Sequence, residues 1–224
     1  MLKTPIIIVN FKTYKESTGK NAVKLAEICN KTAEETKTSI AIAVQSTDIY
    51  RISKIVSIPV LSQHIDAISF GKNTGFLLPE SAKQAGAEAT LLNHSEHRLD
   101  FDLLKSSIER AKQAGLTVVI CAKDDDDAKK IAELGPDFIA VEPPELIGGK
   151  ISVSDAKPEV ISDSVKAVKS INNKIKVLCG AGIHNKEDVK KAVDLGADGI
   201  LVSSGIVKAR NQEAALKDLV NGLS

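Results

Sequence analysis

Residues 176–205 read KVLCGAGIHNKEDVKKAVDLGADGILVSSG, and this stretch decides the fold class. A short apolar run ends on a glycine turn, a helical pattern follows, and a second apolar run ends on Ser203, Ser204 and Gly205. This succession of strand, turn and helix is typical of α/β proteins with parallel strands. Small residues in the two turns leave backbone N–H groups uncovered, and helix N-termini add positive dipole ends. We therefore expect an anion, most simply a phosphate, to bind there.

The same alternation runs through the whole chain of 224 residues. Short, β-branched apolar runs predict eight strands, at residues 6–10, 39–44, 59–63, 89–93, 117–121, 138–141, 176–179 and 199–202. Amphipathic segments between them predict helices, most clearly at residues 21–35, 102–113, 124–134, 158–170 and 187–195. The strands are apolar almost throughout, which indicates burial on both faces, as in parallel sheets.

Eight successive β–α units favour a closed (β/α)8 barrel. An open, doubly wound sheet stays possible at this point, because a strand count does not prove closure. No linker or low-complexity segment interrupts the chain, so we expect residues 1–224 to form one compact domain with short helices. Gly86, Gly115 and Gly196 each follow a helical pattern, where glycine ends helices because it tolerates the left-handed conformation.

Composition excludes several classes of protein. Hydrophobic residues at 43% and charged residues at 26% indicate an ordinary globular protein, and a net charge of +1 gives no sign of a nucleic-acid or membrane-surface partner. The cysteines, Cys29, Cys121 and Cys179, show no metal-ligand or redox spacing. No apolar stretch approaches the roughly 20 residues of a membrane span, and the first residues do not resemble a signal peptide. We expect a cytoplasmic protein, and the acidic run 124–127 indicates a helix start rather than a metal site.

The predicted carboxyl ends of the strands carry the residues suited to catalysis. Lys12 follows the first strand, His94 the fourth and Glu142 the sixth. In a barrel these ends share one face, so the three side chains would converge. A carboxylate beside a phosphate-binding turn suits proton abstraction next to a carbonyl, and lysine and imidazole could stabilise the oxygens of the resulting enediolate.

Three segments resemble the signature segments of the triosephosphate isomerase family. They are NFK at residues 10–12, NHSEHR at 93–98 and VEPPELIG at 141–148, and the last, with CGAGI at 179–183, is similar to the archaeal branch. The resemblance covers essentially the whole chain. It implies a TIM barrel and a cofactor-independent, metal-free isomerase that interconverts dihydroxyacetone phosphate and D-glyceraldehyde 3-phosphate in glycolysis or gluconeogenesis.

The resemblance also implies catalytic roles. Glu142 would be the base that moves a proton between two carbons of the substrate. His94 would be a neutral electrophile, and we expect a helix to begin near Ser95 and disfavour a positive charge on the ring. Lys12 would stabilise negative charge on the substrate.

Binding roles follow from the same resemblance. The implied substrate-binding residues are Asn10, Lys12, Ile147, Gly148, Gly182, Ser203 and Ser204. The backbone N–H groups of Gly182, Ser203 and Ser204 would hold the phosphate, whereas Ile147 and Gly148 would belong to a lid. Glu96 would position Lys12 or its neighbours from outside the substrate contacts.

An assembly is implied as well. Residues 71–75 read GKNTG, and by resemblance this loop reaches into a neighbouring subunit with Thr74 near the partner's active site. We therefore expect a homodimer or a homotetramer. His64 would line the barrel mouth or a subunit contact.

Two other functions stay open from the residues alone. One is another sugar-phosphate barrel, such as an epimerase, although the strand ends lack the metal-binding histidines and acids that this reaction would need. The other is a phosphate-binding barrel without catalysis. A carboxylate beside an anion has no purpose in simple binding, which favours the isomerase.

Overall fold

The structure, a computed structural model, describes residues 2–142 and 159–223 and forms a closed barrel of eight parallel strands. Each strand pairs with the next, and β8 pairs with β1 through Ile6 opposite Gly199. The strands are β1 (Ile6–Asn10), β2 (Ser39–Val44), β3 (Val60–Ser62), β4 (Ala89–Leu92), β5 (Thr117–Ala122), β6 (Phe138–Val141), β7 (Lys176–Cys179) and β8 (Gly199–Val202). The closed barrel is confirmed, and the open sheet is excluded.

Helices cover the outside of the barrel. They are α1 (Lys20–Thr36), α2 (Ser46–Ser53), α3 (Pro79–Gln84), α4 (Phe101–Gln113), α5 (Asp125–Glu133), α6 (Glu159–Ile171), α7 (Lys186–Asp194), α8 (Ser204–Val207) and α9 (Gln212–Asn221), with a 3₁₀ turn at Lys15–Ser17. The predicted helices α1, α4, α5, α6 and α7 are confirmed to within one residue at each end. The sequence patterns gave no bounds for α2, α3, α8 or α9, although the turn at Gly86 had indicated that a helix ends there. The first three have eight residues or fewer, too few to establish a helical period.

Local capping explains several of the boundaries. The carboxylate of Asp124 accepts a hydrogen bond from the N–H of Asp127 at 2.8 Å, so the acidic run does begin α5. The turns after α3, α4 and α7 contain Gly86, Gly115 and Gly196, whose φ angles are 109°, 73° and 95°. The predicted left-handed helix ends are therefore confirmed.

Strand side chains divide into an inner and an outer apolar layer. On β1, Ile6 and Ile8 belong to the cluster that fills the barrel, whereas Ile7 and Val9 pack in the layer shared with the helices. This alternation is the ordinary period of two in a β-strand. Both layers are buried, which accounts for strands that are apolar throughout.

The same alternation determines which residues face the mouth of the barrel. Ala140 and Leu178 belong to the inner cluster, so Glu142 and Gly180, two positions further along, continue the inward row. Asn10 continues the inward row of β1 in the same way.

The opposite end of the barrel is braced by Asp198. Its carboxylate accepts a hydrogen bond from the N–H of Val177 at 3.0 Å and contacts the ammonium groups of Lys169 and Lys176. Burial raises the pKa of Asp198, but the Val177 hydrogen bond and the two lysines outweigh it, so the pKa lies below its ordinary value.

In the part of the chain that is described, no helix is both long and apolar enough to cross a membrane.

Candidate active site

Lys12 projects from a left-handed turn directly after β1. Its φ is 49°, its N–H donates to Asn10 Oδ1 at 3.0 Å, and its carbonyl accepts from Gln63 Nε2 at 3.0 Å. The ammonium group donates to Glu96 Oε1 at 2.9 Å. Non-glycine residues in this conformation need such support from their surroundings. Neighbouring residues therefore hold both the backbone of Lys12 and its ammonium group.

His94 follows β4 and the left-handed Asn93, whose φ is 58°. The N–H of Glu96 donates to His94 Nδ1 at 3.1 Å. Since Nδ1 accepts this bond, the geometry corresponds to a neutral ring with its proton on Nε2.

The expected helix near Ser95 is wrong. Residues 95 and 96 form a tight turn in which the N–H of His97 donates to the carbonyl of His94 at 2.8 Å, and α4 begins only at Phe101. The backbone donor to His94 is therefore a single N–H group of this turn and not a helix terminus. A local hydrogen bond thus replaces the dipole that we expected to keep the ring neutral.

Glu142 lies directly after β6 and is 4% exposed. Its Oε1 lies 3.3 Å from His94 Nε2, and its Oε2 is buried without a hydrogen-bond partner among the described residues. The N–H of Glu142 donates to the carbonyl of Ala122 at 2.8 Å, which fixes the backbone against β5. A buried carboxylate with an unpaired oxygen is positioned to accept a proton from a ligand.

Cys121 lies beside this carboxylate on β5. Burial raises the pKa of the Cys121 thiol well above its ordinary value, and the charge of Glu142 raises it further. The thiol therefore stays protonated, which fits a residue that supports the site by packing and not a nucleophile.

A cavity of about 310 Å³ joins these groups to the turns after β7 and β8. Gly182, in the turn after β7, has a φ of 71°. Ser203 precedes the short helix α8, and its hydroxyl is buried without a partner in the described part of the chain. The N–H groups of Ser204 and Gly205 lie in the first turn of that helix, where no acceptor within the helix is available. The cavity is lined by Asn10, Lys12, His94, Glu142, Gly180, Gly182, Ser203 and Ser204, among others.

Two contributions to the site had not been predicted. Gln63 contacts Lys12 and Asn10, although the sequence shows only a polar residue at a strand end. Helix α9 lines the cavity with Ala215, Asp218 and Leu219. The side chain of Asn211 caps this helix by accepting from the N–H of Ala214, and that capping residue was the available signal.

Thr74 and His64 are not among the residues that line the cavity. Thr74 is exposed, in a loop flanked by Phe70 and Phe76. The His64 ring stacks on His97 with a centroid distance of 4.5 Å, and burial and then the His97 charge lower the pKa of His64. Ile147 and Gly148 lie outside the described residues. Within residues 2–142 and 159–223, no cluster of histidine, cysteine and acidic side chains could hold a metal ion.

Comparison with known proteins agrees with this architecture. The family model of triosephosphate isomerase matches residues 5–222. A triosephosphate isomerase of Methanothermobacter thermautotrophicus is 52% identical over 97% of this chain and 95% of its own length. One from Methanobacterium bryantii is 49% identical over 98% of this chain and 97% of its own length.

A solved structure gives the same fold at much lower identity. The crystal structure of triosephosphate isomerase from Bartonella henselae has a TM-score of 0.76 and 20% identity, and the match covers 96% of this chain and 98% of that one. At that identity the structural match supports the fold alone, whereas the family model and the archaeal relatives extend over nearly the whole sequence. The chain belongs to the triosephosphate isomerase family.

Proposed function

We propose that this protein interconverts dihydroxyacetone phosphate and D-glyceraldehyde 3-phosphate through an enediolate, without a cofactor. The observation that carries the proposal is the convergence of Lys12, His94 and Glu142 on one cavity beside the turns after β7 and β8. A cavity of about 310 Å³ suits a ligand as small as a triose phosphate. Glycolysis or gluconeogenesis and a cytoplasmic location stay predictions.

Glu142 is the base in this mechanism. Its carboxylate removes a proton from the carbon next to the substrate carbonyl, and the electrons of that C–H bond form the carbon–carbon double bond of the enediolate. The carboxylic acid then returns the proton to the neighbouring carbon. Meanwhile Nε2 of His94 gives its proton to the former carbonyl oxygen and takes up the hydroxyl proton from the other oxygen, so that the ketone becomes an aldehyde. Burial and the unpaired Oε2 support this role, because the carboxylate has one oxygen available for the substrate.

His94 stabilises the oxygen on which negative charge develops. The Nε2–H of the neutral ring donates to that oxygen, and the Glu96 N–H bound to Nδ1 keeps the second nitrogen unprotonated. Nε2 of His94 lies 3.3 Å from Oε1 of Glu142. The proposed base and the proposed electrophile are therefore close enough to act on adjacent atoms of one small substrate.

Lys12 and the two turns hold the charged parts of the substrate. The ammonium group stabilises the phosphate and the enediolate oxygens, and Glu96 holds it in position at 2.9 Å. Asn10 supports the Lys12 turn and faces the same cavity. The N–H groups of Gly182, Ser203 and Ser204 bind the phosphate in this proposal. The assignment of Ile147 and Gly148 to a lid stays a prediction, since both lie outside the described residues.

The test is isomerisation in heavy water, starting from dihydroxyacetone phosphate. We expect the product to carry deuterium on the new C–H carbon, because a proton held on Glu142 exchanges with solvent before it returns. The Glu142→Gln variant should lose roughly 10³-fold or more in kcat, since the amide cannot accept the proton.

The exposed Glu133 on α5 provides a matched control, and Glu133→Gln should keep wild-type kcat. An inactive wild type that still binds a phosphorylated enediolate mimic would instead support a binding barrel. Product without deuterium from an active enzyme, together with a wild-type kcat for Glu142→Gln, would contradict the proposal, because hydrogen would then move between the carbons without this base.

We propose further that the loop containing Thr74 forms an interface with a second copy of the chain in a dimer or tetramer. Phe70 and Phe76, which flank it, are 73% and 59% exposed, and such side chains favour burial against a partner. Light scattering should give a dimer or tetramer for the wild type and a smaller species for Thr74→Arg. The exposed Lys72 gives a control, Lys72→Arg, that should keep the wild-type mass.

A further inference from the structure

We propose that Gly180 is a positioning residue for Glu142, because its missing side chain provides the space that the carboxylate side chain occupies. The proposal rests on the proposed function only in that Glu142 is taken as the base. Its structural part concerns two adjacent strands and can be tested without activity.

Register brings the two residues side by side. Val141 of β6 pairs with Cys179 of β7, so the next residues along both strands, Glu142 and Gly180, stand opposite each other. Both continue the inward rows of their strands, and their side-chain positions therefore lie on the same face at the mouth of the barrel.

The space at this position is already filled. A Cβ atom on Gly180 would lie 2.7 Å from Glu142 Cγ and 3.0 Å from the Val141 carbonyl oxygen, whereas ordinary contacts begin near 3.4 Å. Gly180 does not have a positive φ, unlike Gly182, whose φ is 71°. The requirement for glycine at residue 180 is therefore one of space and not of backbone conformation.

The backbones on either side cannot easily move apart. The N–H of Gly180 donates to the carbonyl of Val141 at 2.8 Å, and the N–H of Glu142 donates to the carbonyl of Ala122 at 2.8 Å. A methyl group on residue 180 would therefore be accommodated mainly by rotation of the Glu142 side chain. That rotation would move the carboxylate from its place 3.3 Å from His94 Nε2.

The kinetic test is the Gly180→Ala variant. We expect kcat to fall about 10²-fold, the loss that a displacement near 1 Å of a catalytic group can cause. Competitive inhibition by inorganic phosphate should stay within about twofold, since the methyl group acts on the base and not on the phosphate turns. The control is Gly86→Ala at the opposite end of the barrel, where the new Cβ would clash with Ser53. It should lower stability and leave kcat unchanged.

A second measurement does not depend on activity. Gly180→Ala should lower the melting temperature by about 2–4 °C, the shift that overpacking by roughly 1 kcal/mol causes in a protein of this size. Adding Glu142→Ala removes the clashing Cγ and should recover most of that loss. The same Glu142→Ala change should not rescue Gly86→Ala.

Each outcome bears on the proposal. A Gly180→Ala enzyme that keeps half of the wild-type kcat, or a melting loss that Glu142→Ala does not recover, would overturn it. If the wild type does not isomerise triose phosphate, the proposed function fails. Rescue of the melting temperature by Glu142→Ala would still support the steric relation between residues 142 and 180, and additive losses would still refute it.

Discussion

Replacement of Gln63 by methionine should weaken both stability and activity, because one amide group joins three parts of the barrel mouth. Gln63 Nε2 lies 3.0 Å from the carbonyl of Lys12, 3.2 Å from that of Ala43 and 3.3 Å from Asn10 Oδ1. Methionine fills a similar volume but cannot donate a hydrogen bond. The substitution therefore isolates the loss of the donor from the loss of packing.

The size of the expected stability loss follows from the number of N–H donors on the Gln63 amide. An amide carries two N–H groups, so about two hydrogen bonds are lost, and a typical bond contributes about 0.5–1.5 kcal/mol. We expect a total loss of about 1–3 kcal/mol in the free energy of unfolding. Lys12 also loses the partner of its carbonyl, which supports a left-handed backbone with a φ of 49°. A less fixed ammonium group should lower kcat/KM about tenfold, equivalent to about 1.4 kcal/mol of transition-state stabilisation.

Urea unfolding at fixed protein concentration and steady-state kinetics would measure the two effects. Gln45→Met is the matched control, because Gln45 Nε2 makes one exposed hydrogen bond, to Thr18 Oγ1. Gln45→Met should change the free energy of unfolding by no more than about 0.5 kcal/mol. If the urea midpoint of unfolding for Gln63→Met equals that of the wild type, the Gln63 hydrogen bonds do not contribute the expected stability. If stability falls while kcat/KM stays at the wild-type value, the link from Gln63 to Lys12 is wrong.

Three further predictions concern the scaffold. Asp198→Asn should cost roughly 1–2 kcal/mol near pH 7, with allowance for partial exposure. Because the folded pKa of Asp198 lies below its unfolded value, that stability should be present above about pH 4 and lost as the pH falls further, and urea unfolding at several pH values would show it. Gly199→Ala should give little folded protein by circular dichroism, since its Cβ would overlap the backbone of Ile6 where β8 closes onto β1. Burial raises the pKa of Cys29 and Cys179 to about 12, so a thiol reagent at pH 8 should modify neither without denaturant, and rapid labelling would contradict this.

Most of the barrel could be predicted from the sequence, because the strands are buried on both faces and read as short apolar runs. Eight β–α units favoured closure, but they did not prove it, since closure depends on the pairing of Ile6 with Gly199 between the two ends of the chain. The bounds of the short helices could not be predicted for a related reason. Helix α3 has six residues and α8 has four, and their positions follow from the loops that connect the strands rather than from a repeating apolar pattern.

The sequence predicts the candidate catalytic residues more directly than the hydrogen bonds that orient their side chains. Lys12, His94 and Glu142 follow strands directly, so topology alone predicts that they meet. The proton position on His94 depends on the N–H of Glu96, two residues away in a turn that the sequence did not predict. The expected helix at Ser95 is therefore wrong, and the N–H of Glu96 is the backbone partner of the proposed electrophile instead.

The site combines a fixed backbone with an unsatisfied side chain, and the barrel explains how both occur together. The hydrogen-bond ladder continues one residue beyond the strand ends, through Glu142 to Ala122 and through Gly180 to Val141. These bonds hold the backbone of the proposed base, yet Glu142 Oε2 has no partner within the described residues. An unpaired buried oxygen costs about 1–3 kcal/mol, which the buried apolar layers must offset. A shift of β6 by one residue would turn Glu142 towards the helices, so barrel closure and the position of the base depend on one register.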